Sequence, residues 1–88
     1  MSDVSERTLW GIPLSELAED RLAAARRADE AALSARRFAA DPENSPEIRA
    51  QARAAARTCR EHAQDYRYEA AEFSAGLVPE RYWGTGDD

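Results

Sequence analysis

From Glu47 to Ala75 the chain reads EIRAQARAAARTCREHAQDYRYEAAEFSA, with no proline or glycine inside it. Apolar residues return every three or four positions: Ile48, Ala52, Ala55, Cys59, Ala63, Tyr66, Ala70, Phe73 and, just beyond, Leu77. That recurrence predicts an amphipathic helix. Two seven-residue ladders run inside it, Ala56–Ala63–Ala70 and Ala52–Cys59–Tyr66–Phe73. A seam so rich in alanine calls for a second helix packed very close.

The stretch from Leu14 to Ala40 supplies that helix, with its own ladder of Ala18, Ala25, Ala32 and Ala39. Leu17, Ala24, Ala31 and Phe38 flank this ladder on one side, Leu22 and Leu33 on the other. The apolar arc is on the order of 200° wide, where about 100° suffices to face a single core. The second helix has the narrower stripe, which one neighbour satisfies. The surplus apolar surface is therefore expected on the first helix.

Punctuation sets the boundaries. Pro13 suits the first helical turn and Ser15 is an alternative cap, with Glu16, Glu19 and Asp20 placed against the positive helix end. The first helix is expected from about 14 to 40, where Asp41-Pro42 stops it. Ser45-Pro46-Glu47 is a strong start for the second, expected over about 46 to 75. Gly76 suits a left-handed cap, with Leu77 set for the hydrophobic contact and Pro79 blocking continuation. A polar loop of five residues, DPENS, between two long helices implies an antiparallel hairpin. The expected layout is an N-terminal tail (1–12), a helical hairpin (13–78) and a C-terminal tail (79–88). The fold class is all-α, a coiled-coil-like hairpin completed to a helical bundle by self-association or by a partner.

Composition adds a reason to expect a partner. Leu, Ile, Val and Phe together number twelve of 88 residues, few for a chain that must stabilise itself alone. Alanine's helix propensity still favours order. The net charge of −5 and pI near 4.9 disfavour general binding to nucleic acid or anionic membrane. All twelve basic residues are arginine. A single cysteine forms no internal disulfide, and MSDVSERTLWGIP lacks the apolar run of a signal peptide, so the expected location is cytoplasmic.

Four features are candidates for chemistry. Arg49, Arg53, Arg57, Arg60 and Arg67 line one flank of the second helix, opposite Glu47, Glu61, Asp65, Glu69 and Glu72. Such a stripe either pairs with acids of the first helix, such as Glu19, Asp20 and Glu30, or contacts an acidic protein or nucleic acid. Cys59-x-x-His62, with Asp65 and Glu69, offers ligands one turn apart, but a structural zinc site needs four and the first helix has no cysteine or histidine. Di-iron helical bundles use Glu-x-x-His, and here Cys59 stands where that glutamate would be. No metal or cofactor is expected. One histidine, no glycine-rich phosphate loop and no nucleophile elbow leave no catalytic residues to assign.

The aromatic tails are the fourth feature. An antiparallel hairpin brings Trp10 and Ile12 to the same end as Tyr82 and Trp83, where they either form a cluster or anchor a partner. Arg81-Tyr82-Trp83 joins the three residue types that most often dominate binding energy. The expected function is a non-enzymatic protein–protein interaction module, an accessory or inhibitory subunit of cellular or phage origin that binds a protein partner and dimerises. The partner-binding candidates are Trp10, Leu17, Leu22, Leu33, Phe38, Arg81, Tyr82 and Trp83. The alternative is a nucleic-acid-associated protein using the arginine stripe.

Overall fold

The computed structural model describes residues 7–84. A two-residue strand β1 (Thr8–Leu9) pairs antiparallel with β2 (Ile12–Pro13), and two helices follow, α1 (Leu14–Ala40) and α2 (Pro46–Ser74). A 3-10 turn over Glu80–Tyr82 closes the described chain. The two helices pack against each other as an antiparallel hairpin, so the protein is predominantly helical. Its extents are 59 × 26 × 16 Å, and its radius of gyration is 17.5 Å, against about 12 Å for a compact domain of this length. The molecule is a flat rod with little interior.

The alanine ladders are the inter-helix seam. Ala18, Ala25 and Ala32 are buried against Ala56, Ala63 and Ala70, with Ala52 and Phe73 of the neighbouring ladder also buried. Larger side chains gather at one end only, where Leu9, Leu14, Leu17, Ala18 and Phe73 form a cluster joined by Val78 and Tyr82. That end, where both tails meet, is the open end of the hairpin. Towards the loop the buried apolar residues are all alanine.

A close seam is sensitive to added volume. Ala63 is 0% exposed. Ala63→Leu is expected to destabilise by about 1–3 kcal/mol through overpacking, read as a lowered urea midpoint. An unchanged or raised midpoint would mean the seam has room that alanine does not fill.

The helix ends largely follow their sequence signals. Ser45 caps α2 by accepting a hydrogen bond from the Ile48 amide at 3.2 Å. In the loop, Asp41 accepts from the Glu43 amide and the Asn44 side chain donates to the Phe38 carbonyl. At the other end Gly76 has φ +81°, and the Leu77 amide reaches back to the Glu72 carbonyl, which is a Schellman closure. Leu77 itself stays 52% exposed, and Val78 packs on the core instead.

Residues 8–13 differ from the expected tail. The turn of their small hairpin is Trp10-Gly11, both at positive φ (57° and 77°), as a two-residue type I′ turn requires. Tryptophan is not a left-handed residue, and this backbone costs it about 1–2 kcal/mol. The hairpin in turn fixes the entry to α1. Pro13 sits at the N-cap rather than in the first turn, and the Leu14 amide donates to the Arg7 carbonyl at 3.0 Å. Ser15 is therefore one residue inside the helix and is not its cap.

Candidate interaction surfaces

Two ion pairs between the helices mark the two broad faces of the rod. On one face the Nε of Arg21 donates to Glu69 at 2.9 Å. On the other, Arg67 pairs with Asp29. Residues seven apart on a helix stay on one face, so each pair identifies the rows that continue it.

The Arg21–Glu69 face carries a cap at its open end. Glu69 is 6% exposed and its carboxylate is fully engaged. One oxygen accepts from Arg21 and from the Tyr82 hydroxyl at 3.1 Å, and the other meets Arg81 at 3.0 Å. Tyr82 also stacks on Phe73 with ring centroids 6.2 Å apart, and Trp10 meets Tyr82 edge-on at 5.3 Å. Arg21 lies over the Phe73 ring, 5.9 Å from its centroid. Burial works against the Arg21 charge, but hydrogen bonds and charge from Tyr82 and Glu69 outweigh it and hold the guanidinium above its ordinary pKa. The C-terminal 3-10 turn is thereby fastened onto this face.

Beyond the cap the same face loses all charge. From Arg21 the row continues as Ala28 and Ala35, and beside it run Ala24, Ala31 and Phe38. On α2 the row of Glu69 continues as His62, Ala55 and Ile48, beside Tyr66 and Cys59. Ala31, Phe38, Ile48, Ala55 and His62 are exposed, and Ala24, Ala28, Ala35, Cys59 and Tyr66 half-buried. Between the cap and the loop these rows hold no Asp, Glu, Lys or Arg.

The opposite face is the arginine face. Arg53, Arg60 and Arg67 are one row seven apart, joined by Arg57 and by Arg49, while Leu22 and Leu33 lie across from them on α1. Arg67 pairs with Asp29, an acid of α1 beside Glu30. Arg53, Arg57 and Arg60 are exposed, and the half-buried Arg49 has a buried Nε with no hydrogen-bond partner. Between Ala31 and Ala40 and between Ile48 and Arg60 there are six arginines and no acid.

The partner-binding candidates therefore do not form one surface. Leu17 is 6% exposed, inside the core cluster where α1 meets the small N-terminal hairpin and Phe73. Tyr82 is half-buried and held by Phe73, Trp10 and Glu69. Arg81 is spent on Glu69, although its side chain is 63% exposed. Trp83 donates its indole N–H to the Val78 carbonyl yet leaves its ring 67% exposed, and Trp10 is 45% exposed. Leu22 and Leu33 are exposed on the arginine face, and Phe38 on the uncharged one.

Glu69 is the functional-looking residue that sequence reading placed elsewhere, among the flank acids and possible metal ligands. A usable signal was present. Glu69 is the lone acid in the row Ile48–Ala55–His62–Glu69, and Arg21 the lone base in the row Arg21–Ala28–Ala35. Among the described residues no group of three or more His, Cys, Asp or Glu side chains is placed to hold a metal ion. His62, Asp65, Tyr66, Glu69 and Arg81 line a surface cleft beside the cap of about 210 Å³. Among the described residues no helix is long and apolar enough to cross a membrane. No protein-family model, curated protein or solved structure matches the chain.

Proposed function

We propose that the chain is a non-enzymatic helical interaction subunit that pairs with a second copy of itself to complete a bundle. The observation that supports this reading is the uncharged face, on which Phe38 is 55% and Ile48 42% exposed beside rows of alanine. A solvated helix face ordinarily carries charge, and small residues at spacings of three and four let another helix approach closely. The rod's broad side measures 59 × 26 Å, large enough to hold the ~800 Å² per partner of a standard interface. The paired subunit would serve as an accessory or inhibitory component that presents its outward arginine face to an acidic protein. A cytoplasmic location fits the free thiol of Cys59, which a reducing compartment preserves.

Self-association is tested by its dependence on concentration. The thermal midpoint of the parent chain is expected to rise as protein concentration is raised, and sedimentation equilibrium to give a dimer. Ala31→Glu, which places a charge on the exposed centre of the uncharged face, is expected to abolish both effects while leaving the helical circular dichroism in place. A parent chain that is monomeric at all concentrations would sink this reading.

The six arginines without an intervening acid favour a second reading, contact with nucleic acid through the arginine face. Acids at the open end limit the basic stretch to the loop half of the rod. Retention of duplex or single-stranded DNA in a low-salt mobility shift, lost as salt rises, is the result that would favour it.

A further inference from the structure

Resting on that self-pairing, we infer that the two hairpins lie antiparallel, each loop end against the open end of its partner across the uncharged face. Two independent observations lead there, and the first is shape. The cap is built on one broad face only, because Tyr82 reaches Glu69, Arg21 and Phe73, all of that face. The rod is consequently thick at the open end and thin towards the loop on the very side that remains unpartnered. Two such wedges stacked with open ends together would meet cap on cap and hold their alanine rows apart. Stacked head to tail, each cap lies over the thin end of the other copy, and the middles close.

Charge is the second observation. The loop halves of the two helices carry six arginines (Arg36, Arg37, Arg49, Arg53, Arg57 and Arg60) against three acids (Asp29, Glu30 and Glu47). The open halves carry seven acids (Glu16, Glu19, Asp20, Glu61, Asp65, Glu69 and Glu72) against four arginines (Arg21, Arg26, Arg27 and Arg67). In a parallel pair these six arginines would lie level with their own copies, and so would the acids. In the antiparallel pair the half with an excess of arginine lies beside the half with an excess of acid. The arginine row faces outward in this pair, so the charge preference acts across two helix layers and is strongest at low salt.

The arrangement is isologous, with one two-fold axis crossing the rod near its middle. It sets α1 against the partner's α1, and α2 against the partner's α2, each running antiparallel. The exposed Trp83 ring of one copy comes to the end where Phe38 and Ile48 of the other are exposed. Each end of the dimer thus gathers apolar groups that neither copy covers alone.

A spin label at the loop tests the geometry. Glu43 is exposed, so Glu43→Cys in a Cys59→Ala background gives one label per copy. In the dimer, pulsed dipolar measurement is expected to give a separation approaching the long dimension of the molecule, 59 Å. A separation of roughly 10–20 Å, the spacing of packed neighbouring helices, would mean parallel hairpins and overturn the arrangement while leaving the pairing intact. Sedimentation of the same labelled protein separates the remaining case, since a monomer overturns the pairing itself. Salt supplies a second sign. The antiparallel dimer is expected to weaken as ionic strength rises, and a dimer that tightens with salt would contradict it.

Discussion

Phe73→Ala is expected to unfold the hairpin at room temperature, with loss of most of its helical circular dichroism at low protein concentration. Phe73 is 1% exposed and is the largest fully buried side chain. Deleting a buried phenylalanine costs about 3–5 kcal/mol, and a single core in a domain this small rarely supplies more than that. No neighbour can fill the space, because the seam behind it is alanine. The ring also forms the floor on which Tyr82 and Arg21 rest, so the cap loses its seat together with the core. Phe73→Leu keeps most of the volume and is expected to stay folded, about 1.5 kcal/mol less stable. A cooperative transition in Phe73→Ala, within a few degrees of the parent midpoint, would show that the open-end cluster does not hold the helices together.

Glu69→Ala ranks second. Arg21 and Glu69 side chains are 17% and 8% exposed, and their removal from water is repaid only while each has the other. Taking away the carboxylate leaves the Arg21 guanidinium over Phe73 with its main partner gone, at an expected cost of about 2–4 kcal/mol in chemical denaturation. The exposed contact with Arg81 adds little. Glu69→Gln retains an acceptor oxygen and is expected to lose less. The decisive variant is the double substitution Arg21→Met with Glu69→Leu. Replacing both charges by apolar groups of similar size is expected to recover most of the stability, because a buried ion pair holds geometry more than it adds energy. If the double variant is as unstable as Glu69→Ala, the network contributes energy of its own.

The parts of this structure that could be read in advance are those written in local spacing. Ala18–Ala25–Ala32 and Ala56–Ala63–Ala70 define the seam because a helix turns a seven-residue repeat onto one face. Ser45-Pro46 and Gly76 mark helix ends because their backbone requirements are satisfied within a few residues. Contacts between distant residues were not legible in the same way. A helical projection places Arg21 and Glu69 on flanks but does not say which acid a given arginine will find. Leu17 reads as surplus until the N-terminal hairpin is known to lie beside it. That hairpin was hidden for another reason: tryptophan at positive φ is not a turn signal, and the strain is tolerated only where the indole ring gains Tyr82.

The uneven distribution of side-chain size along the seam bears on how the hairpin comes apart under load. Both described chain ends, Arg7 and Gly84, leave from the end that holds Phe73, Leu14 and Leu17, and they line one cleft together. A force applied between them acts as on a zipper, loading one rung at a time instead of shearing the whole seam. The first rungs are the strongest, and the buried apolar residues behind them are all alanine. Once the cap yields, nothing further along resists as well, so the opening runs through to the loop in one event. A copy whose ends are tethered to different structures would therefore hold or release, with no half-open state between.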